Sequence, residues 1–234
     1  VAPDPDTGAN GLVRDRGQPG PHAAEPARPA PAPQEVPGAD CSQEILEAAK
    51  QVAALLKAGD CRFALAGGVA AYAHGVPRRS LHDVDFCILH EDVDDVCQVL
   101  AAAGIRVWTP PEDWLLKADC RGQNVDLIME LADRPVTPGL LARAEVRPVD
   151  SVRMPVLHPT DLVSGLLDAF SDHHCDFGAV LPIARTLRER IDWAEIRGRG
   201  KGKPMSEAFL FLLERLDVIA PADGSSSDAE EASP

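Results

Sequence analysis

The run Arg62-Phe-Ala-Leu-Ala-Gly-Gly-Val69, followed a short way on by His82-Asp-Val-Asp-Phe-Cys-Ile-Leu89, decides the fold. The first is a short apolar segment stopped by Gly67-Gly68, after which Val69 to His74 is apolar with helical potential until Gly75 and Pro77 break it. It reads as strand, glycine turn, helix. The second alternates polar and apolar residues at its start and becomes wholly apolar at its end, as a strand does when it leaves solvent for a core. Backbone N–H groups at Gly67-Gly68 can approach an anion with no Cβ in the way. Residues i and i+2 of a strand share a face, so Asp83 and Asp85 converge. Two such carboxylates repel and are costly to desolvate, and they persist where a cation sits between them. The plain alternative is a solvated strand edge. Asp85 runs directly into Phe86-Cys-Ile-Leu, which fits an exposed edge poorly, and a third acid, Asp126, lies in a similar strand, Asn124-Val-Asp-Leu-Ile-Met129.

Outward from this centre, Ser42 to Leu56 carries apolar residues at three- and four-residue intervals and predicts one amphipathic helix ended by Gly59. Glu91 to Ala103 predicts another, with acids at its N-terminal end and Gly104 as its stop. Asp92, Asp94 and Asp95 read as its solvated face. Ile105 to Trp108 predicts a strand, and Pro110 to Lys117 reads as the connection to the Asp126 strand. Val146 to Val152 and Met154 to Leu157 are short apolar or proline-containing segments. A helical half follows: Leu162 to Phe170, capped by Thr160 or Asp161, then Phe177 to Trp193 and Met205 to Leu216, the last two joined by Arg197-Gly-Arg-Gly-Lys-Gly-Lys-Pro204. The fold class predicted is α+β, a mixed sheet with flanking helices and then a C-terminal helical half.

Of the 234 residues, 37 are acidic and 23 basic, for a net charge of −14. Residues 1–40 hold nine of the 21 prolines, with six acids and three bases, and 217–234 add five acids and no base. The expected division is a disordered leader over 1–40, an α/β domain over 41–158, a helical domain over 159–216 and a disordered acidic tail over 217–234. The longest weakly polar stretch, Phe63 to Val76, is too short to span a bilayer and is interrupted by glycines and His74. Six cysteines are scattered with no CxxC pair, as suits reduced thiols in a cytoplasm. His173-His174-Cys175-Asp176 lacks a second cluster at zinc spacing and reads as a helix-turn segment. Trp108, Trp114 and Trp193 read as packing residues.

Ala66-Gly-Gly-Val with Arg78-Arg-Ser-Leu-His-Asp-Val-Asp-Phe-Cys-Ile and a later single Asp resembles the polymerase β type nucleotidyltransferase signature. More narrowly, it is similar to bacterial nucleotidyltransferases of the AbiEii and MenT toxin kind. The resemblance covers about residues 60–130 well and the helical half loosely. It implies that Gly67 and Gly68 cradle a nucleoside triphosphate, that Asp83, Asp85 and Asp126 hold two Mg²⁺ ions and carry the chemistry, and that Arg79 and Ser80 meet phosphate. Asp176 is a further candidate facing the nucleotide. Related toxins use a lysine in the helical half, whereas this chain has none between Lys117 and Lys201. Arg185 or Arg188 is the candidate replacement.

The implied activity is metal-dependent transfer of a nucleotide from an NTP to an acceptor hydroxyl, with tRNA as the acceptor and a cognate antitoxin as partner if the toxin likeness holds. Seven bases between Arg185 and Lys203 against three acids are the segment that RNA would use. A small-molecule acceptor, an aminoglycoside or lincosamide antibiotic, is the alternative, and a degenerate, non-catalytic fold is the third reading.

Overall fold

The computed structural model describes residues 42–77, 81–132, 134–173 and 175–221. The expected leader, Arg79 and Ser80 lie outside the described residues. Among those described, seven strands form one mixed sheet with helices about it, which is the α+β class expected.

The chain enters through α1 (Ser42–Ala58), whose Ile45, Leu46, Ala49, Val52, Ala53 and Leu56 are buried as their spacing requires. β1 (Phe63–Ala66) leads without a loop into α2 (Gly67–Ala73), and β2 (Val84–Ile88) returns antiparallel to β1. A turn of 3₁₀ helix at His90–Asp92 precedes α3 (Val93–Ala102), which packs on α1. Arg62 fixes this corner with a guanidinium bonded to Asp92 and Glu91, so of the helix-start acids Asp92 has a structural partner.

β3 (Arg106–Trp108), β4 (Leu115–Cys120) and β5 (Gln123–Ile128) form a meander, and β5 lies parallel to β2. β4 is a strand where the sequence suggested a connection. Its turn explains it: Arg121 and Gly122 both have positive φ, the two-residue geometry that matches strand twist in a hairpin. A short hairpin of β6 (Glu130–Leu131) and β7 (Arg134–Pro135) and a short helix α4 (Pro138–Ala142) follow. The segments left unassigned in the sequence, β8 (Glu145–Val149) and β9 (Val152–Val156), are an antiparallel pair at the sheet's other edge. The proline-bearing β8 occupies the edge, where a missing N–H costs no ladder bond. The strand order is β3-β4-β5-β2-β1-β9-β8.

The expected boundary at residue 158 falls in the turn between β9 and α5 (Pro159–Asp168). The cap of α5 is His158, whose Nδ1 accepts from the Thr160 N–H, rather than Thr160 or Asp161. The Thr160 hydroxyl instead accepts from the Asp192 N–H, and Asp161 is buried in an ion pair with Arg143. The long helix expected over Phe177 to Trp193 is two: α6 (Phe177–Leu187) and α7 (Trp193–Gly200), separated by a 3₁₀ turn at Arg188–Arg190. Asp192 caps α7 through the Glu195 N–H, and half of the expected glycine-rich linker is therefore helical. α8 (Pro204–Arg215) closes the core with Phe209, which packs against Phe170 and Phe177. Val218 and Ile219, at the start of the expected tail, are buried.

Candidate active site

The sheet register builds the site. Asp85 of β2 lies opposite Asp126 of β5, Ala66 of β1 lies beside Asp85, and Lys117 of β4 lies beside Asp126. Directly paired residues share a face of the sheet, so Ala66, Asp85, Asp126 and Lys117 make one row across four strands. Asp83, two residues before Asp85, keeps that face. Carboxylate oxygens of Asp83, Asp85 and Asp126 all lie within 4.8 Å of one another.

Gly67 is required here. Its φ is +60°, and a Cβ at this position would stand 1.8 Å from Asp85 Oδ2. The glycine that starts α2 therefore leaves the space that the Asp85 carboxylate fills. Ala66 provides no side-chain cap for α2.

Charge in the row is unevenly compensated. Lys117 Nζ donates to both oxygens of Asp126, at 2.8 and 3.0 Å. Among the described residues, no side chain forms an ion pair with Asp83 or Asp85. Burial, then the nearby Asp83 and Asp126 charges, push Asp85 up to about 7. Burial and Asp126 raise Asp83 as well. A pair of like charges at this separation repels by roughly 3 kcal/mol at an effective dielectric near 20. Three converging carboxylates, two of them uncompensated, fit a hard divalent cation that prefers oxygen ligands. The thiol of Cys87 is also driven upward, chiefly by burial, so it is a packed thiol and not a nucleophile.

Two cavities meet at these acids. One of about 460 Å³ is lined by Gly67, Asp85, Trp114, Leu131, Asp161 and Leu166 among others. The second, about 450 Å³, is lined by Gly68, His82, Asp83, Asp176, Gly178 and Ile183 among others. The two glycines and the two acids of the Asp-Val-Asp strand are thus divided between them. Trp114, expected as packing, lines the first cavity and is 40% exposed.

The expected residues fall as follows. Asp83, Asp85, Asp126, Gly67 and Gly68 come together. Asp176 lines the second cavity and caps α6 through the Ala179 N–H. Arg185 is on the exposed face of α6 and lines neither cavity. Arg188 pairs with its neighbour Glu189. Pro77 and Leu81, on either side of Arg79 and Ser80 in the chain, line the second cavity. Lys117 was missed by sequence reasoning. The signal was the Arg121-Gly122 turn, since a two-residue hairpin there sets Lys117 opposite Asp126.

The sheet, the glycine turn and the converging acids define a protein of the nucleotidyltransferase fold. A family model described as uncharacterised nucleotidyltransferase matches residues 39–219, and the chain belongs to that family. No curated protein matches it in sequence. Among solved structures it is similar to the antibiotic-resistance factor ANT(2'')-Ia in solution, with a TM-score of 0.51 and 13% identity, over 76% of this chain and 97% of that one. It is similar as well to an antigenic nucleotidyltransferase-like protein from Paracoccidioides brasiliensis, with a TM-score of 0.50 and 16% identity, over 75% of this chain and 89% of that one. At such identities the likeness shows the fold alone.

Proposed function

We propose that the protein is a metal-dependent nucleotidyltransferase that moves an NMP from an NTP to a hydroxyl of a small-molecule acceptor. The observation that carries the reaction is the convergence of Asp83, Asp85 and Asp126 beside Gly67, between two cavities. The second cavity suits the nucleotide, since Gly68, His82 and Asp83 line it. The first cavity then takes the acceptor, on the other side of the carboxylates.

In this reading the acceptor oxygen forms its bond to the α-phosphorus in line with the leaving group, the bond from that phosphorus to the bridging oxygen breaks, and pyrophosphate departs. Asp126 is placed to take the hydroxyl proton. Asp83 and Asp85 would hold the divalent cation, which when bound neutralises charge building on the phosphoryl oxygens. Gly67 and Gly68 let the backbone approach the phosphates, and the apolar walls of the first cavity, Leu131, Leu162 and Leu166 among them, exclude water.

One observation favours a small-molecule acceptor. Of the seven bases from Arg185 to Lys203, five are engaged in ion pairs: Arg188 with Glu189, Arg190 with Glu145, Arg197 with Glu214, Arg199 with Asp161 and Glu195, and Lys203 with Asp168. A base already paired with a carboxylate must give up that pair to neutralise a phosphate, and phosphate neutralisation with release of the RNA's counterions supplies most of non-specific RNA affinity. A polynucleotide acceptor, and with it the toxin role, is the less supported reading, while a bounded cavity beside Asp85 suits a compact acceptor.

The test is incubation with each labelled NTP and Mg²⁺, in one arm with total cellular RNA and in the other with a panel of hydroxyl-bearing small molecules that includes aminoglycosides and lincosamides. Label on a small molecule, lost with Asp85→Ala, is the expected result. Label on tRNA would restore the toxin reading, and no product in either arm would favour a non-catalytic fold.

A further inference from the structure

We infer that the Lys117 ammonium takes the place of one of the two divalent cations the site would otherwise use, so that the nucleotide-bound protein holds a single ion, on Asp83 and Asp85. The inference rests on the proposed nucleotidyl transfer and specifies how this chain's own residues divide the work within it.

The pairing is a product of the backbone, not of a long surface side chain finding a chance partner. Lys117 and Asp126 are directly opposed residues of the antiparallel β4–β5 pair, and the Arg121-Gly122 turn holds that register. A one-residue slip would send both side chains to the other face. The Asp126 carboxylate is 15% exposed, against 37% for Lys117, so the ammonium reaches inward from the better-solvated side. It engages both oxygens of Asp126, whereas Asp83 and Asp85 have no ion-pair partner among the described residues. A dication bound on Asp126 would stand next to a fixed positive charge in a partly buried place, where like charges are poorly screened.

Lys117 is accordingly a positioning residue. It holds the Asp126 carboxylate in the row by both oxygens and leaves it free of a metal ion, while Asp83 and Asp85 present their oxygens to the cation. The arrangement also accounts for an acid triad in which, among the described residues, only Asp126 has an ion-pair partner.

Mn²⁺ counting by electron paramagnetic resonance, with the full chain and each of the four α,β-methylene NTP analogues, tests this without any turnover. Expected are one bound Mn²⁺ per chain for the wild type and for Lys117→Arg, and two for Lys117→Gln. Two ions on the wild type would overturn the inference even if Lys117→Gln failed to fold, as circular dichroism would reveal. One ion on wild type and folded Lys117→Gln alike would show that the lysine is not what excludes the second. Absence of any nucleotide-dependent Mn²⁺ on either protein would instead overturn the metal-dependent reading itself, which separates the two failures.

Discussion

Two acidic clusters in this molecule look alike in composition and differ in what surrounds them. In the sheet, Asp83, Asp85 and Asp126 converge with Lys117 as their only described cationic partner. On α5, the buried side chains of Asp161 and Asp168 face Arg143, Arg199, Arg134 and Lys203, with Arg134 and Lys203 each 2.6 Å from Asp168. The second cluster is a clamp tying α5 to the β7–α4 segment and to α7. The first retains unbalanced negative charge. Acid count alone therefore does not mark a metal site. What marks it is the shortage of counter-charge among the described residues at a place where carboxylates are forced together.

The comparison breaks most readily at Asp85. Asp85→Ala should lower nucleotide transfer by roughly three orders of magnitude or more and weaken Mn²⁺ binding while the far-ultraviolet circular dichroism is unchanged. Retained transfer would mean that the sheet cluster is as structural as the other one.

A pH series sharpens the same contrast. The folded protein keeps a proton on Asp85 up to about pH 7, whereas an unfolded chain releases it near its ordinary value of 3.8. Unfolding then releases a proton, so the metal-free protein loses stability as pH rises from about 4 to 7, by an amount on the order of 3 kcal/mol. Denaturant titrations of Asp85→Asn should lack that loss, and saturating Mg²⁺ should oppose it in the wild type. Matching pH profiles for the two proteins would show that Asp85 ionises freely.

Gly67→Ala is the next largest effect. A left-handed φ and a Cβ pressed on Asp85 Oδ2 should cost about 1–2 kcal/mol and, by displacing the carboxylate, reduce transfer about 10- to 100-fold. Unchanged kinetics would show that the close approach is not needed for the chemistry.

Asp168→Ala tests the other cluster. Leaving Arg134 and Lys203 without their acid should destabilise the protein by roughly 2 kcal/mol, below the range for a fully buried pair because both bases are partly solvated. Transfer, measured below the transition, should stay within a few-fold of wild type. A loss of Mn²⁺ affinity comparable to that of Asp85→Ala would erase the distinction between the clusters.

Much of the fold was legible locally. The amphipathic spacing of α1, the glycine stop after β1 and the polar-to-apolar run of β2 each report on the residues that form them. β4 was missed although Leu116-Lys-Ala-Asp-Cys120 alternates apolar and polar residues; the register that makes it a strand is set by the Arg121-Gly122 turn and the partner β5. The β8–β9 pair was missed because its prolines read as breakers, although Pro148 lies on β8 at the sheet edge, which tolerates it. α6 and α7 were fused because their periodicities run on, although Asp192, which caps α7 through the Glu195 N–H, is a local start signal.

By itself, the sequence determined that Asp83 and Asp85 share a strand face beside a two-glycine turn, because a strand's period of two and glycine's missing Cβ are local properties. Only the tertiary structure decided that Asp126 stands opposite Asp85, that Lys117 closes the row, and that the bases from Arg185 to Lys203 are largely engaged in ion pairs within the chain. Those facts depend on sheet register and on partners distant in sequence, such as Glu145 for Arg190 and Asp168 for Lys203, and no local pattern encodes which charges will meet.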